Sequence, residues 1–332
     1  MVTKWRLRAL ARVLGLGLGL GLALGLAACG NEEAELAEKA KQEQTAFSKA
    51  LAAYNAGDFP TALAVLKPLA DSGNPSAQNN IGRMYYDGRG VPENDAEAVK
   101  WFQLAADKDH PTAQFNLGAA YEYGNGVQQN IEEALRWYGA AAKQGEPEAQ
   151  VNLGRMYDEG LGVAQNPLAA LRLFNLAAER GVPEAQFDLG VLYSSGRAAP
   201  KNDAEAMKWY RRSADQGFAE AQYTMGNIYE DGTGVMQDYA EAMRWYRLAA
   251  AQGHAGAQNN IGRLYADGLG VPKDNVKVLM WYNVALPGLR GEEASSALAF
   301  RDALKSGMRR QQVEQAEALA ARCRESAFKA CE

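Results

Sequence analysis

Apolar and polar positions along this chain recur every 36 residues, and each period contains two stretches of helical spacing. Gln78, Gln114, Gln150, Gln186, Gln222 and Gln258 each follow an alanine. Four residues after each stands a glycine, from Gly82 to Gly262, and three further on a tyrosine, from Tyr85 to Tyr265. Glycine pairs close this half of the unit: Gly88/Gly90, Gly124/Gly126, Gly160/Gly162, Gly232/Gly234 and Gly268/Gly270. Aromatic pairs mark the other half: Trp101-Phe102, Trp137-Tyr138, Trp209-Tyr210, Trp245-Tyr246 and Trp281-Tyr282. A fixed period of this length is the mark of stacked units, none of which can bury its apolar side alone.

Each unit predicts two helices. The first begins near Pro75, Pro111, Pro147 or Pro183, where a missing N–H costs nothing. It ends where Gly-x-Gly supplies a left-handed cap and turn. Asn94, Asn130, Asn166, Asn202, Asp238 and Asp274 predict the start of the second helix, because their side chains accept from free backbone N–H groups. Glu97, Glu133, Glu205 and Glu241 follow three residues later, the spacing of a capping box. The glycine inside each first helix costs about 1 kcal/mol relative to alanine. A cost met six times implies a recurring gain, namely close contact between the paired helices with Tyr and Trp rings covering the gap.

With Ala-Gln, Leu-Gly, Tyr, Gly-x-Gly-Val and the Trp-Tyr pair in view, residues 74–289 closely resemble six Sel-one-like repeats. These are relatives of the tetratricopeptide repeats with a longer loop between the helices. The resemblance implies an all-α, right-handed superhelical solenoid of antiparallel helix pairs. Residues 45–73 are similar to a shorter tetratricopeptide hairpin, and residues 290–332 to C-terminal capping helices with a tail. Two units depart from the pattern. The fourth has Gly196-Arg197-Ala198-Ala199-Pro200 at its turn, which predicts a different turn there, and the third has Leu173-Phe174 in place of the Trp pair.

The N-terminus adds a location. Lys4, Arg6, Arg8 and Arg12 precede an uncharged Leu/Gly/Ala stretch ending in Leu26-Ala27-Ala28-Cys29. This resembles a bacterial lipoprotein leader over residues 1–28, with Cys29 as the acylated residue at the membrane. Gly30 and Asn31 follow, with no aspartate directly after the cysteine, and in that family this favours the outer membrane facing the periplasm. Residues 29–44 read as a polar tether or as a helical extension. Losing residues 1–28 removes four positive charges and no negative ones, so the net charge goes from −5 to −9. An acidic body disfavours nucleic acid as a partner.

Local chemistry is sparse. His110 and His254 occupy equivalent helix starts 144 residues apart, which suits capping. No cluster has metal-ligand spacing, and the Gly-x-Gly turns follow helices, unlike a dinucleotide loop, so no catalytic residue, metal or cofactor is expected. Cys323 and Cys331 remain, as a disulfide or as two thiols; a bond requires the chain to turn back after Arg324.

In tetratricopeptide-like stacks the first helices line the concave face, and that resemblance selects the binding candidates. One row holds Asn79, Phe115, Val151, Phe187, Tyr223 and Asn259, and the next includes Arg83, Arg155 and Arg263. The last turn supplies Asp87, Glu122, Asp158, Glu230 and Asp267. Aromatic anchors flanked by arginines and acids suit an extended peptide, with Arg83, Arg155 and Arg263 expected to bind an acidic or C-terminal segment. The expectation is a non-enzymatic, lipid-anchored adaptor in the bacterial envelope that binds a partner protein or extended peptide. A peptidoglycan-binding or wall-associated protein is the alternative, with aromatic groove residues as the contact. A wall or β-lactam hydrolase ranks last, for want of a catalytic set.

Overall fold

A computed structural model describes residues 30–331, with side chains from residue 37. Among these residues are sixteen helices and no strand. The chain opens with α1 (Gly30–Asn55) and α2 (Phe59–Asp71), which pack as a hairpin. Six pairs follow. They are α3 (Pro75–Asp87) with α4 (Asp95–Ala106), α5 (Pro111–Tyr123) with α6 (Ile131–Lys143), and α7 (Pro147–Glu159) with α8 (Pro167–Glu179). Then come α9 (Pro183–Ser195) with α10 (Asp203–Asp215), α11 (Ala219–Asp231) with α12 (Tyr239–Ala250), and α13 (Ala255–Asp267) with α14 (Asn275–Ala285). The chain closes with α15 (Gly291–Ser306) and α16 (Arg310–Glu325). Each second helix packs on its own first helix and on the first helix of the next pair, making an all-α superhelical solenoid of antiparallel pairs.

Of the two readings of segment 29–44, the described residues take the helical extension and not the polar tether. From Gly30 it is helical and continuous with the first helix of the N-terminal hairpin, so it is no loose tether. The reason is composition: residues 31–55 contain neither Gly nor Pro and are rich in Ala, Glu, Lys and Gln, all good helix formers.

The glycine inside each first helix is explained by what lies over it. A Cβ on Gly82 would stand 2.6 Å from Phe102, one on Gly118 2.7 Å from Tyr138, and one on Gly154 2.6 Å from Phe174. The ring of the second helix therefore lies flat on the first helix's backbone, a contact that any side chain would block. It is the second aromatic of each pair that does this. The tryptophan, expected to share the task, turns to the preceding repeat: Trp137 joins a cluster with Ala98, Phe102 and Leu117. Leu173 takes the tryptophan's place in the third repeat without disturbing Phe174.

The glutamines stitch the repeats together. The Gln114 Nε2 donates to the Ala106 carbonyl at 3.2 Å, and the same eight-residue bond recurs from Gln78, Gln150, Gln186, Gln222 and Gln258. Each gives a second donor to a carbonyl at the end of the preceding second helix, which also accepts the backbone N–H three residues on, Asp109 to Ala106 at 3.0 Å for example. Three of these glutamines also accept through Oε1: Gln144, Gln216 and Gln252 donate to Gln114, Gln186 and Gln222 at 2.8, 2.7 and 2.8 Å.

All six second-helix caps form, from Asn94 to Asp274. The reciprocal half of the capping box does not. The Asn94 N–H donates to the Tyr85 carbonyl at 2.9 Å, and Asn130, Asn202 and Asp238 do likewise to Tyr121, Tyr193 and Tyr229. With that donor spent on closing the loop, Glu97, Glu133, Glu205 and Glu241 pair instead with Lys100, Arg136, Lys208 and Arg244 one turn on. The loop itself needs Gly88 and its equivalents at positive φ (66° for Gly88) to cap each first helix. In the fourth repeat Gly196 keeps that cap, while Ala198 replaces the second glycine and leaves the positive-φ region.

At the C-terminus α16 covers α14, burying Ala316, Ala320 and Cys323 against the last repeat. Cys323 and Cys331 are joined by a disulfide with Cα atoms 4.4 Å apart. The chain turns back through Ala327 and Phe328, both at positive φ, and the Phe328 N–H donates to the Cys323 carbonyl at 2.8 Å.

Candidate functional site

The candidate binding row lands differently from its expected place. Asn79 and Phe115 are buried, at 4% and 7% exposure, and Val151 is buried as well. Phe115 packs on Tyr138 with ring centroids 5.8 Å apart. Phe187 packs on Tyr210 and Phe218, both at 5.5 Å, and Tyr223 on Tyr246 at 5.9 Å and the His254 ring at 4.4 Å. Asn259 donates to Glu293 at 3.4 Å. These side chains belong to seams between helices. The reason is helical geometry: each lies three residues before the seam glycine, so both point to the same side.

The outward stripe is one residue further on. In α3 it runs Ser76, Asn80, Arg83 and Asp87; in α7 it runs Glu148, Asn152, Arg155 and Glu159. Residues at these intervals share one helix face. The row Asn80, Asn116, Asn152, Asp188, Thr224 and Asn260 was missed by sequence reasoning, and every member is half-buried on this face. Neighbouring first helices are linked across it. Asn116 donates to Asn79 at 2.9 Å, Asn260 to Asn227 at 3.2 Å, and the Arg155 Nε to Asp188 at 2.9 Å.

Two of the three expected arginines are therefore occupied. Arg155 pairs with Asp188, and Arg263 pairs with Glu230. Arg83 makes no hydrogen bond or ion pair among the described residues and stays half-buried. Glu230 also accepts from the Tyr246 hydroxyl at 2.8 Å, and Glu122 from the Tyr138 hydroxyl at 2.6 Å. Burial, and then the adjacent Glu122, push the Tyr138 hydroxyl well up from its ordinary value, so it remains a donor. Tyr123, 55% exposed, is pushed up to about 12 by burial of its hydroxyl end and by Glu122.

The other sequence candidates resolve as structure. The His110 and His254 Nδ1 atoms accept from the N–H of Ala113 and Ala257, at 3.2 and 3.1 Å, and so cap α5 and α13. The His254 Nε2 meets Glu220 at 2.7 Å. No group of three His, Cys, Asp or Glu suited to a metal occurs among the described residues. Cys29 lies outside the described residues. No helix among the described residues is long and apolar enough to cross a membrane.

A stack of identical helix pairs with one varied face defines a helical-repeat scaffold. The Sel1 repeat model matches residues 75–110, 111–146, 147–182, 183–218, 219–254 and 255–285, and the chain belongs to the Sel1 repeat family. It is similar to a Sel1 repeat protein from Oxalobacter formigenes of known crystal structure, at 35% identity and a TM-score of 0.69 over 73% of this chain and 100% of that one. A protective antigen of uropathogenic Escherichia coli strains, with an SLR fold, is 25% identical over 88% of this chain and 86% of its own, with a TM-score of 0.36. The immunity protein Pa5087 of Pseudomonas aeruginosa is 22% identical over 64% and 81%, with a TM-score of 0.44. Both superimpose only loosely. No curated protein matches the chain. Sel1 repeats form a scaffold typical of protein–protein interaction, and solenoids of this family are generally non-catalytic.

Proposed function

We propose that this protein is a non-enzymatic adaptor, lipid-anchored in the bacterial envelope, that holds a partner protein or extended peptide on the first-helix face. The observation that carries the reading is the outward stripe. Six helices in register present it, and its side chains differ from repeat to repeat while the seams beneath stay constant. A surface of that kind gives a partner many independent contacts on a rigid frame. The aromatic rings that a glycan platform needs are spent on packing at Phe115, Phe187 and Tyr223, which favours a protein over peptidoglycan.

The location rests on the leader. A basic start, an apolar stretch and Leu26-Ala27-Ala28-Cys29 support acylation of Cys29, and Gly30-Asn31 supports the outer membrane facing the periplasm. A disulfide between Cys323 and Cys331 suits an oxidising compartment.

Two experiments test the two halves. Cells fed an alkyne-labelled palmitate should label the wild type and not Cys29→Ala, and the variant should leave the membrane fraction. Benzoylphenylalanine in place of exposed Tyr123 should crosslink a protein in the envelope, while the same probe in place of exposed Leu176, on the second-helix layer, should not. Capture only from Leu176 would put the partner on the wrong face and defeat the reading.

A further inference from the structure

Charge divides the six repeats into two unlike layers. The first helices, α3, α5, α7, α9, α11 and α13, carry eleven carboxylates against three arginines, a net of −8. The second helices carry nine carboxylates against ten Lys and Arg, a net of +1. The excess is concentrated further, with −2, −2 and −3 falling on the consecutive helices α7, α9 and α11.

On those three helices the outward stripe includes Glu148, Glu159, Glu184, Asp188, Glu220 and Asp231. Its single cation is Arg155, already paired with Asp188. His254 reaches Glu220 from the next repeat, and the other four carboxylates have no cation partner among the described residues. The crowding has electrostatic consequences. Burial first, and then Asp158 and Glu184 working against Arg155, push Asp188 up to about 6. Burial and Glu148 push Glu146 up to about 7. Glu159 and Asp231 also close α7 and α11, where neither last turn holds a basic residue, beside Asp158 and Glu230, which pair with Arg197 and Arg263. A helix C-terminus is already partly negative, so carboxylates there raise the energy of the free protein. Positive charge arriving from outside offsets the repulsion among the exposed carboxylates Glu148, Glu159 and Asp231.

We propose that α7, α9 and α11 form the docking stripe for a lysine- or arginine-rich extended segment of the partner protein. The carboxylates are spread over three helices and do not converge, which suits a chain of cations and not a single ion. Arg155 on α7 reaches Asp188 on α9 at 2.9 Å, so side chains of successive first helices are neighbours that one extended chain can cross. This reverses the acidic segment expected from Arg83, Arg155 and Arg263, and it rests on the adaptor reading above.

The test uses the purified full chain and two fluorescent probes, octalysine and octaglutamate, read by anisotropy at low and physiological salt. Wild type should bind octalysine and not octaglutamate, more weakly as salt rises. The triple variant Glu148→Gln/Glu184→Gln/Asp231→Asn, two exposed residues and one half-buried, should lose about tenfold in octalysine affinity with an unchanged melting curve, the order expected for three screened contacts. A control of equal charge change on the other layer, Glu97→Gln/Glu133→Gln/Glu205→Gln, should stay within about twofold of wild type. Equal losses in the two triples, or no loss in the first, overturn the proposal. If Tyr123 still captures a protein in that case, the adaptor reading survives without it; if nothing is captured from Tyr123, the adaptor reading itself fails.

Discussion

The seam inside each repeat and the face of the first helices are built on opposite rules. At the seam six units use one solution, a glycine with an aromatic ring laid flat on it, and the only choice left is Phe or Tyr. On the face no two units carry the same four residues: Ser76, Asn80, Arg83 and Asp87 in one, Glu220, Thr224, Asn227 and Asp231 in another. Close packing tolerates little change of volume, so the seam repeats itself. A surface that only has to remain soluble can vary, and its variation is where a partner can be distinguished. Fold and function therefore occupy different layers of the same helix pairs.

That separation can be attacked from the seam outward. The largest effect belongs to Gly154→Leu, whose Cβ alone would stand 2.6 Å from Phe174. It should destabilise by about 3 kcal/mol or more, since overpacking and a displaced ring act together. An unchanged thermal melt would remove the packing role of the glycine. Next is Gln114→Leu, which leaves the Gln144 amide without its acceptor and takes one of two donors from the Ala106 carbonyl. Its expected cost is about 2 kcal/mol, read from urea unfolding. A loss confined to the local helices in hydrogen exchange would sharpen the point, because each repeat leans only on its neighbours.

A pH effect comes third. Burial and Glu148 hold the Glu146 carboxyl at about 7, above the ordinary 4.5 it has in the unfolded chain. The folded state therefore keeps the proton longer, and stability from this group is present below about 4.5 and lost as pH rises through about 7. Glu146→Gln cannot ionise, so its melting temperature should exceed that of wild type at pH 8 and match it near pH 4.5. A gain that is larger at the acid end would contradict the sign. The smallest effect is at Asp109, at φ 57° where the equivalent positions in other repeats are Gly73, Gly145, Gly181, Gly217 and Gly253. Asp109→Gly should stabilise by about 0.5 kcal/mol, net of losing the Gln114 bond to its side chain.

Much of the seam was legible in the sequence, and much less of the face. The 36-residue period, the proline starts and the six Asn or Asp caps appear where the pattern puts them, because each depends on local backbone chemistry. Two errors came from rotation about a helix axis. Trp137 and Tyr138 are adjacent and both aromatic, and only packing decides that Tyr138 covers Gly118. Asn79 and Asn80 differ by about 100° on the helix, so a shift of one residue exchanges seam for surface. The capping boxes were misread for another reason: the cap N–H had a distant partner, the Tyr85 carbonyl, that no local motif reveals. The Cys323–Cys331 bond stayed open in sequence, since it needs the reversal at Ala327 and Phe328.

The most direct measurement takes the partner captured from Tyr123 and determines its affinity for a face variant alongside the melting temperature of that variant. Arg83→Ala/Tyr123→Ala/Glu159→Ala changes three outward residues and no seam contact. The account predicts at least about a tenfold loss of affinity, as for removal of interface anchors, with no change in melting temperature. Affinity equal to wild type, or a loss that appears only together with a lowered melting temperature, would contradict the claim that one layer holds the fold and the other holds the partner.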